Sequence, residues 1–440
     1  MAEIKRYEEM KDSGIPGVNK IPSSWDCKRG KAILTILDRP VKETDEVITC
    51  FRDGEVTLRK NRRESGFTNS LKEIGYQGIE PGDLVVHGMD GFAGSIGISD
   101  SRGKSSPVLN VMDSSENKKY LMYYLRALAY RDVFMSLSTG IRVRSCDLRW
   151  NKIANLMFPI PTKLEQQAIA NYLDTRCSLI DEIIEEAKKS IEEYKKLKAA
   201  VIQDAVTKGL DPDVEMKDSG VEWIGEIPKH WSFVRIPRIL DYSNPYPLGD
   251  GDHGLISTED YQNEGIPYIR VQNLGWGTAL NLDNIVYISE ENNERIKNSQ
   301  LKPNDILFCK TGATIGKTGI VPKYLHISNT TSHVGKITVS PRYNAKYVFY
   351  VLSSNIGYRQ FWEIACQKTT RPELAISETR QIRITLPQTK QEQDNIVKYL
   401  DGIIPEYDDL ILKKQALIED LQSYKKSLIY EIVTGKRKVI

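Results

Sequence analysis

Two long stretches of the chain carry apolar residues at helical spacing. Between Leu164 and Thr207 there is no proline or glycine, and Ile180, Ile184, Ala187, Ile191 and Tyr194 follow at intervals of four, three, four and three. That alternation marks a coiled-coil seam, which Leu197, Val201 and Ala205 extend until Lys208-Gly209 and Pro212 end it. These 44 residues would reach about 66 Å as an unbroken helix. From Lys390 to Val433 a second stripe runs through Leu410, Leu417, Leu421, Tyr424, Leu428 and Ile432 and stops at Gly435, while Gly402 and Pro405 predict a kink or a restart near Glu406. A helix of this length outreaches a globule of about 130 residues, whose radius of gyration is about 14 Å. The two helices are therefore expected to bury their seams on each other as an antiparallel spacer, not to fold back singly.

The chain is also an internal repeat. Met10-Lys11-Asp12-Ser13-Gly14 recurs as Met216-Lys217-Asp218-Ser219-Gly220, and Ile21-Pro22 and Trp25 recur as Ile227-Pro228 and Trp231. Glu165-Gln166, Tyr172-Leu173-Asp174 and Asp181 return as Glu392-Gln393, Tyr399-Leu400-Asp401 and Asp408. The offset grows from 206 to 227 between these blocks, so insertions fall between them. Each middle holds a short buried strand and a glycine-rich turn, Leu84-Val85-Val86-His87 before Gly91–Gly97 and Ile306-Leu307-Phe308 before Gly312–Gly319, and each closes with an apolar strand ending in proline. The expected class is α+β: mixed domains at 1–161 and 210–388, and spacer helices at 162–209 and 389–440.

Composition excludes more than it assigns. Of 440 residues, 40% are apolar and 27% charged, as in a folded globular protein, and 61 Lys plus Arg against 59 Asp plus Glu leave a formal charge of +2. Any basic surface must be local. No apolar run suits a membrane span or a secretory signal, and six scattered cysteines without CxxC spacing point to a reducing cytoplasm and away from zinc. Only three residues separate Gly312 from Gly316, too few for a phosphate loop before Lys317. The five histidines share no metal spacing, and no nucleophile elbow or methyl-donor loop occurs. A non-catalytic chain without its own cofactor is expected.

Groups suited to DNA do occur. Arg59, Lys60, Arg62 and Arg63 crowd five positions; Arg142 and Arg144 lie near the end of the first middle, Lys368 and Arg371 near the end of the second. Arg270, Gln272 and Asn273 alternate with Val271 on an expected strand edge, and Lys310, Thr314 and Lys317 flank the second glycine turn. Gln and Asn contact adenine bidentately, and cations contact phosphates.

Taken together, the Ile-Pro-x-x-Trp segments at 21–25 and 227–231, Pro267–Leu274, Gly312–Lys317 and the Glu-Gln pairs at 165–166 and 392–393 resemble the specificity subunit of a type I restriction–modification enzyme, over nearly the whole length. The resemblance implies two target recognition domains, each reading half of a bipartite, asymmetric double-stranded DNA site, with the paired helices as a ruler. It also implies two modification (methyltransferase) subunits bringing S-adenosylmethionine to methylate adenine at N6, and restriction subunits using ATP and Mg. No residue role carries over from the family. An orphan DNA-binding protein of this fold and a coiled-coil adaptor binding proteins remain the alternatives. Loss of affinity with salt separates DNA binding from the adaptor.

Overall fold

The computed structural model describes residues 6–62, 73–136, 148–366 and 372–439. It divides into two compact units, Met1–Lys188 with Gln415–Ile440, and Lys189–Lys414. The division falls within both long helices, Lys163–Thr207 and Lys390–Val433, so each unit comprises one mixed domain and a segment of each helix.

In the first unit an antiparallel sheet runs in the spatial order Leu34–Ile36, Leu109–Ser114, Leu84–His87, Ile96–Ile98. Successive strand residues point to opposite faces. Leu84 and Val86 accordingly join the main core, while Val85 joins a smaller one with Ile48, Val56, Ile79 and Val111. Burial on both faces explains the continuous apolar run. The helix Lys118–Tyr130 begins at Asn117, whose side chain accepts from the Tyr120 N–H, and it buries Tyr120, Leu121, Tyr124, Leu125 and Leu128.

The second unit repeats the plan. Its sheet runs Leu248–Asp250, Val334–Ile337, Ile306–Cys309, Thr318–Ile320. Ile306 and Phe308 enter the main core, and Leu307 enters a smaller one with Ile269, Leu274 and Leu301. Asn344 caps the helix Ala345–Ser353 as Asn117 does in the first unit. The glycine turns Gly54 and Gly277 approach Arg126 and Ser353 respectively, an offset of 223, against 206 at Trp25 and Trp231. Most of the extra length thus lies in residues 232–276, which include Ile266–Ile269, a strand of a sheet with Val286–Ile288 and Asn329–Thr330.

The repeated motifs fasten helix ends to domains. In the first unit Trp25 is fully buried, edge-on to Tyr120 at 6.5 Å, and Pro22 and Trp25 lie against Gly435, the glycine that follows the second long helix. In the second unit Trp231 meets Tyr347 edge-on at 6.4 Å and lies against Gly209, which follows the first long helix. Both glycines hold positive φ, 68° and 76°, the left-handed turn that ends a helix and that a side chain would strain. Where each helix starts, Gln166 accepts from Asn117 N–H (2.9 Å) and Gln393 from Asn344 N–H (2.8 Å). Asp174 receives Tyr123 Oη–H and Lys119, and Asp401 receives Tyr350 Oη–H and Lys346.

The long helices pair antiparallel. In the first unit Lys425 Nζ lies 2.6 Å from Asp181; in the second, Lys198 Nζ lies 2.6 Å from Asp408. Seventeen residues forward along one helix corresponds to seventeen back along the other. Ile180, Ile184 and Ile191 are buried, Tyr194, Val201 and Leu421 partly so, and Leu428 fully. Leu410, Leu417, Tyr424 and Leu197 are not: they are between 38% and 51% exposed. The less exposed row in the second helix lies one residue later, at the half-buried Ile411, Ile418 and Lys425, and in the first it includes the buried Lys198. One residue turns a helical position by about 100°. The second helix also runs through Pro405 as one element instead of restarting near Glu406. Ile396, Leu400 and Ile404 anchor this segment in the core, and that packing outweighs the hydrogen bond proline removes.

Candidate nucleic-acid interface

In the second unit the sheet brings one group of predicted residues together. The strand Ile306–Cys309 ends at Lys310, and the turn Gly312–Thr314 returns the chain to Thr318–Ile320 through Lys317. Backbone bonds fix this edge: Cys309 N–H to Lys317 O at 2.8 Å, Lys310 N–H to His333 O at 3.1 Å, and Leu374 N–H to Lys310 O at 2.8 Å. Lys310 is buried, with Nζ 3.0 Å from Asp250 and 3.5 Å from Glu373. Asp250 in turn lies 3.1 Å from His253, and Thr311 Oγ1 lies 2.9 Å from His333 Nδ1. Thr314 Oγ1 contacts the Cys309 thiol at 3.4 Å. Lys317 is half-buried, and its ammonium has no partner among the described residues.

Arg270, Gln272 and Asn273 sit on a short 3-10 turn, Val271–Asn273, and not on the expected strand edge. Asn273 is buried; its carbonyl accepts the Arg270 N–H (2.8 Å) and its NH2 donates to Asn281 O (2.8 Å). The two groups that would read adenine are spent on the turn. The Arg270 guanidinium donates to Asn284 O (3.0 Å) and lies 5.4 Å from the Tyr261 ring centre. Gln272 is exposed, and its amide is unpartnered among the described residues.

The first unit's cations lie beside the hairpin Ile48–Cys50 and Val56–Leu58, where Arg59–Asn61 forms a single turn. Arg59 donates to Thr49 Oγ1 (3.2 Å), and Lys60 pairs with Glu46. Arg62 bonds Asp53 (2.6 Å) and Glu55 (3.0 Å) and lies over Phe51 at 4.4 Å. Exposed ion pairs are held by about 0–1 kcal/mol, so such cations can exchange a carboxylate for a phosphate. Asp90, just before the glycine turn, lies 3.0 Å from Arg52 of the hairpin, and its N–H donates to Nδ1 of His87, at the end of the preceding strand, at 2.9 Å. Burial pulls the His87 imidazole below its usual value, in keeping with an acceptor nitrogen. Arg63, Arg142, Arg144, Lys368 and Arg371 lie outside the described residues.

Sequence reasoning missed an exposed aromatic pair in the second unit, Trp276 and Tyr358, with ring centres 5.6 Å apart and planes at 74°. The Gly275-Trp276-Gly277 sequence was its visible signal. Among the described residues no group of three or more His, Cys, Asp or Glu is placed to hold a metal ion, and no helix is long and apolar enough to cross a membrane.

Residues 246–420 match the family described as type I restriction modification DNA specificity domain. Over 445 aligned residues the chain is 24% identical to the type I restriction enzyme EcoBI specificity subunit of Escherichia coli, covering 98% of this chain and 90% of that one. It is 25% identical to the MjaVIII specificity subunit of Methanocaldococcus jannaschii over 77% of this chain and 76% of the relative. The fold matches a chain from a structure described as the basis of complex assembly and conformational transition of the type I R-M system, with TM-score 0.68 and 14% identity, covering 94% of this chain and 99% of that one. Repeat, fold and relatives agree: residues 246–420 match the type I DNA specificity domain, and most of the chain is similar to the specificity subunits of type I restriction enzymes.

Proposed function

We propose that each mixed domain reads one half of a bipartite, asymmetric double-stranded DNA site, and that the paired helices set the gap between the halves. The observation that carries this reading is the lysine–aspartate lock, made once in each unit and in one register. The 30 residues from Ser178 to Thr207 rise about 45 Å, and one duplex turn is about 34–36 Å. Half-sites of about three to five base pairs centred about ten apart follow from that spacing.

The chemistry belongs to partners. Two modification subunits would supply S-adenosylmethionine and methylate adenine at N6, and restriction subunits would supply ATP- and Mg-dependent translocation and cleavage. A second row of apolar positions supports protein docking: Ile183 and Leu197 on the first helix, and Leu410, Leu417 and Tyr424 on the second, remain at least a third exposed. Solvated helix faces are normally polar.

The test is the methylome of cells carrying this chain with its modification partner, compared with a variant lacking one heptad from each long helix, residues 185–191 and 415–421. A heptad keeps the remaining seam in phase and shortens the helices by about 10 Å. The expected result is unchanged half-sequences with a gap about three base pairs shorter. An uninterrupted palindrome, or altered half-sequences, would refute the reading.

A further inference from the structure

The two units differ at one equivalent place. In the first, Gly54 faces Arg126: a Cβ built on this glycine would lie 1.6 Å from Nη2, so the guanidinium fills the space beside the turn. Arg126 Nε donates to Ile96 O at 2.7 Å. In the second unit Gly277 faces Ser353, 2.9 Å from the same built position. The repeat has replaced arginine by serine, and Asp53, before the first glycine, by Trp276, before the second.

The vacated space is open. A cavity of about 680 Å3 lies there, lined by Trp276, Ser353, Asn355, Ile202, Ile411 and Asp408 among others. Trp276 is 53% exposed and is braced edge-on by Tyr358. An indole face, a carboxylate and hydroxyl and amide oxygens are together what a planar cation needs: attraction to the ring and acceptors for its N–H groups. Two lysines also line the cavity, but Lys198 is bound to Asp408 at 2.6 Å and Lys195 to Glu192 at 2.8 Å. The first unit has the corresponding lock, Lys425 with Asp181, and burial raises the nearby Cys177 thiol while the charges of Lys425 and Arg126 both oppose that rise. An arginine therefore already coexists with this lysine–aspartate pair in the same chain.

We propose that the cavity beside Trp276 receives an arginine side chain from a partner protein, its guanidinium against the indole and near Asp408, in the place Arg126 fills in the first unit. An apolar side chain is the competing occupant.

The test uses the full chain with N-acetyl-arginine amide, and N-acetyl-leucine amide as the apolar control. Tryptophan emission and the thermal midpoint are read at millimolar probe. The arginine probe should shift both saturably, and the leucine probe should act at least tenfold more weakly. Ser353→Arg, which rebuilds the first unit's arrangement, should remove the response; Trp276→Leu should weaken it at least tenfold in the thermal readout and serves if Ser353→Arg misfolds. No response in the unaltered chain, an equal response to leucine amide, or an undiminished response in a folded variant would overturn the proposal.

Discussion

Gln166 shows how a repeated residue holds a domain. It is fully buried; its carbonyl accepts Asn117 N–H and its NH2 donates to Glu116 (2.9 Å) and Pro161 O (2.9 Å). An unsatisfied buried group costs about 1–3 kcal/mol, so Gln166→Ala should destabilise the first unit by about 3 kcal/mol in urea unfolding, and Gln393→Ala should act similarly on the second. A loss below about 0.5 kcal/mol in both would mean that water replaces the side chain. The identity of these glutamines was visible in the sequence as Glu-Gln pairs, but their partners were not. The same limit applies to the candidate DNA residues. Lys310 reads as a free cation beside a glycine turn, yet it is buried on Asp250, sixty residues earlier in the chain. Composition counts charges; only the fold shows which carboxylates have already taken them.

At the scale of the element, the long helices were legible in length and end-point, and their seams only in part. Apolar spacing located Ile180, Ile184 and Ile191 because those seam positions are apolar. It misplaced part of the second helix because the true row includes Lys425, whose ammonium meets Asp181 and whose side chain is only 21% exposed, as a long aliphatic stem allows. A rule that counts only apolar residues steps to the neighbours Leu417 and Tyr424. The two assignments make opposite predictions. With the seam at Ile418, packed against the first unit's core, Ile418→Glu should cost about 2 kcal/mol, while Leu417→Glu should stay within about 0.5 kcal/mol. Thermal unfolding of the two variants decides the matter, and a larger loss for Leu417→Glu would restore the seam read from spacing. Leu417→Glu should also weaken retention of the modification subunit if the exposed row is its docking face.

For the whole molecule, the repeat was legible in sequence, but the way it closes was not. Linear order suggests a domain followed by its own helix, twice over. Each unit does pack the start of its own helix, but it is completed by the end of the other copy's: Leu428, Ile429, Ile432 and Val433 complete the first unit's core, and Ile202, Ala205 and Val206 the second's. The opening tryptophan of each unit receives the glycine that ends that helix. In the second unit this docking is local, since residues 210–214 alone connect Gly209 to Glu215, whose carbonyl accepts Lys229 N–H at 2.7 Å. In the first unit the equivalent acceptor is Glu9, bonded to Ser23 N–H at 3.0 Å; in sequence, residues 436–440 follow Gly435 and residues 1–8 precede Glu9. Those thirteen residues are more than the five that suffice in the second unit. A direct peptide bond between Ile440 and Met1 should therefore be accommodated, and new ends should be tolerated at Asp211–Asp213, where the chain is exposed. The permuted chain should match the parent in helical content and should unfold within a few degrees of it, because every docking contact persists and only the covalent order has changed. If it proved insoluble or lost the first unit's cooperative transition, the free ends would have a structural part that the docking of Gly435 on Pro22 and Trp25 does not provide.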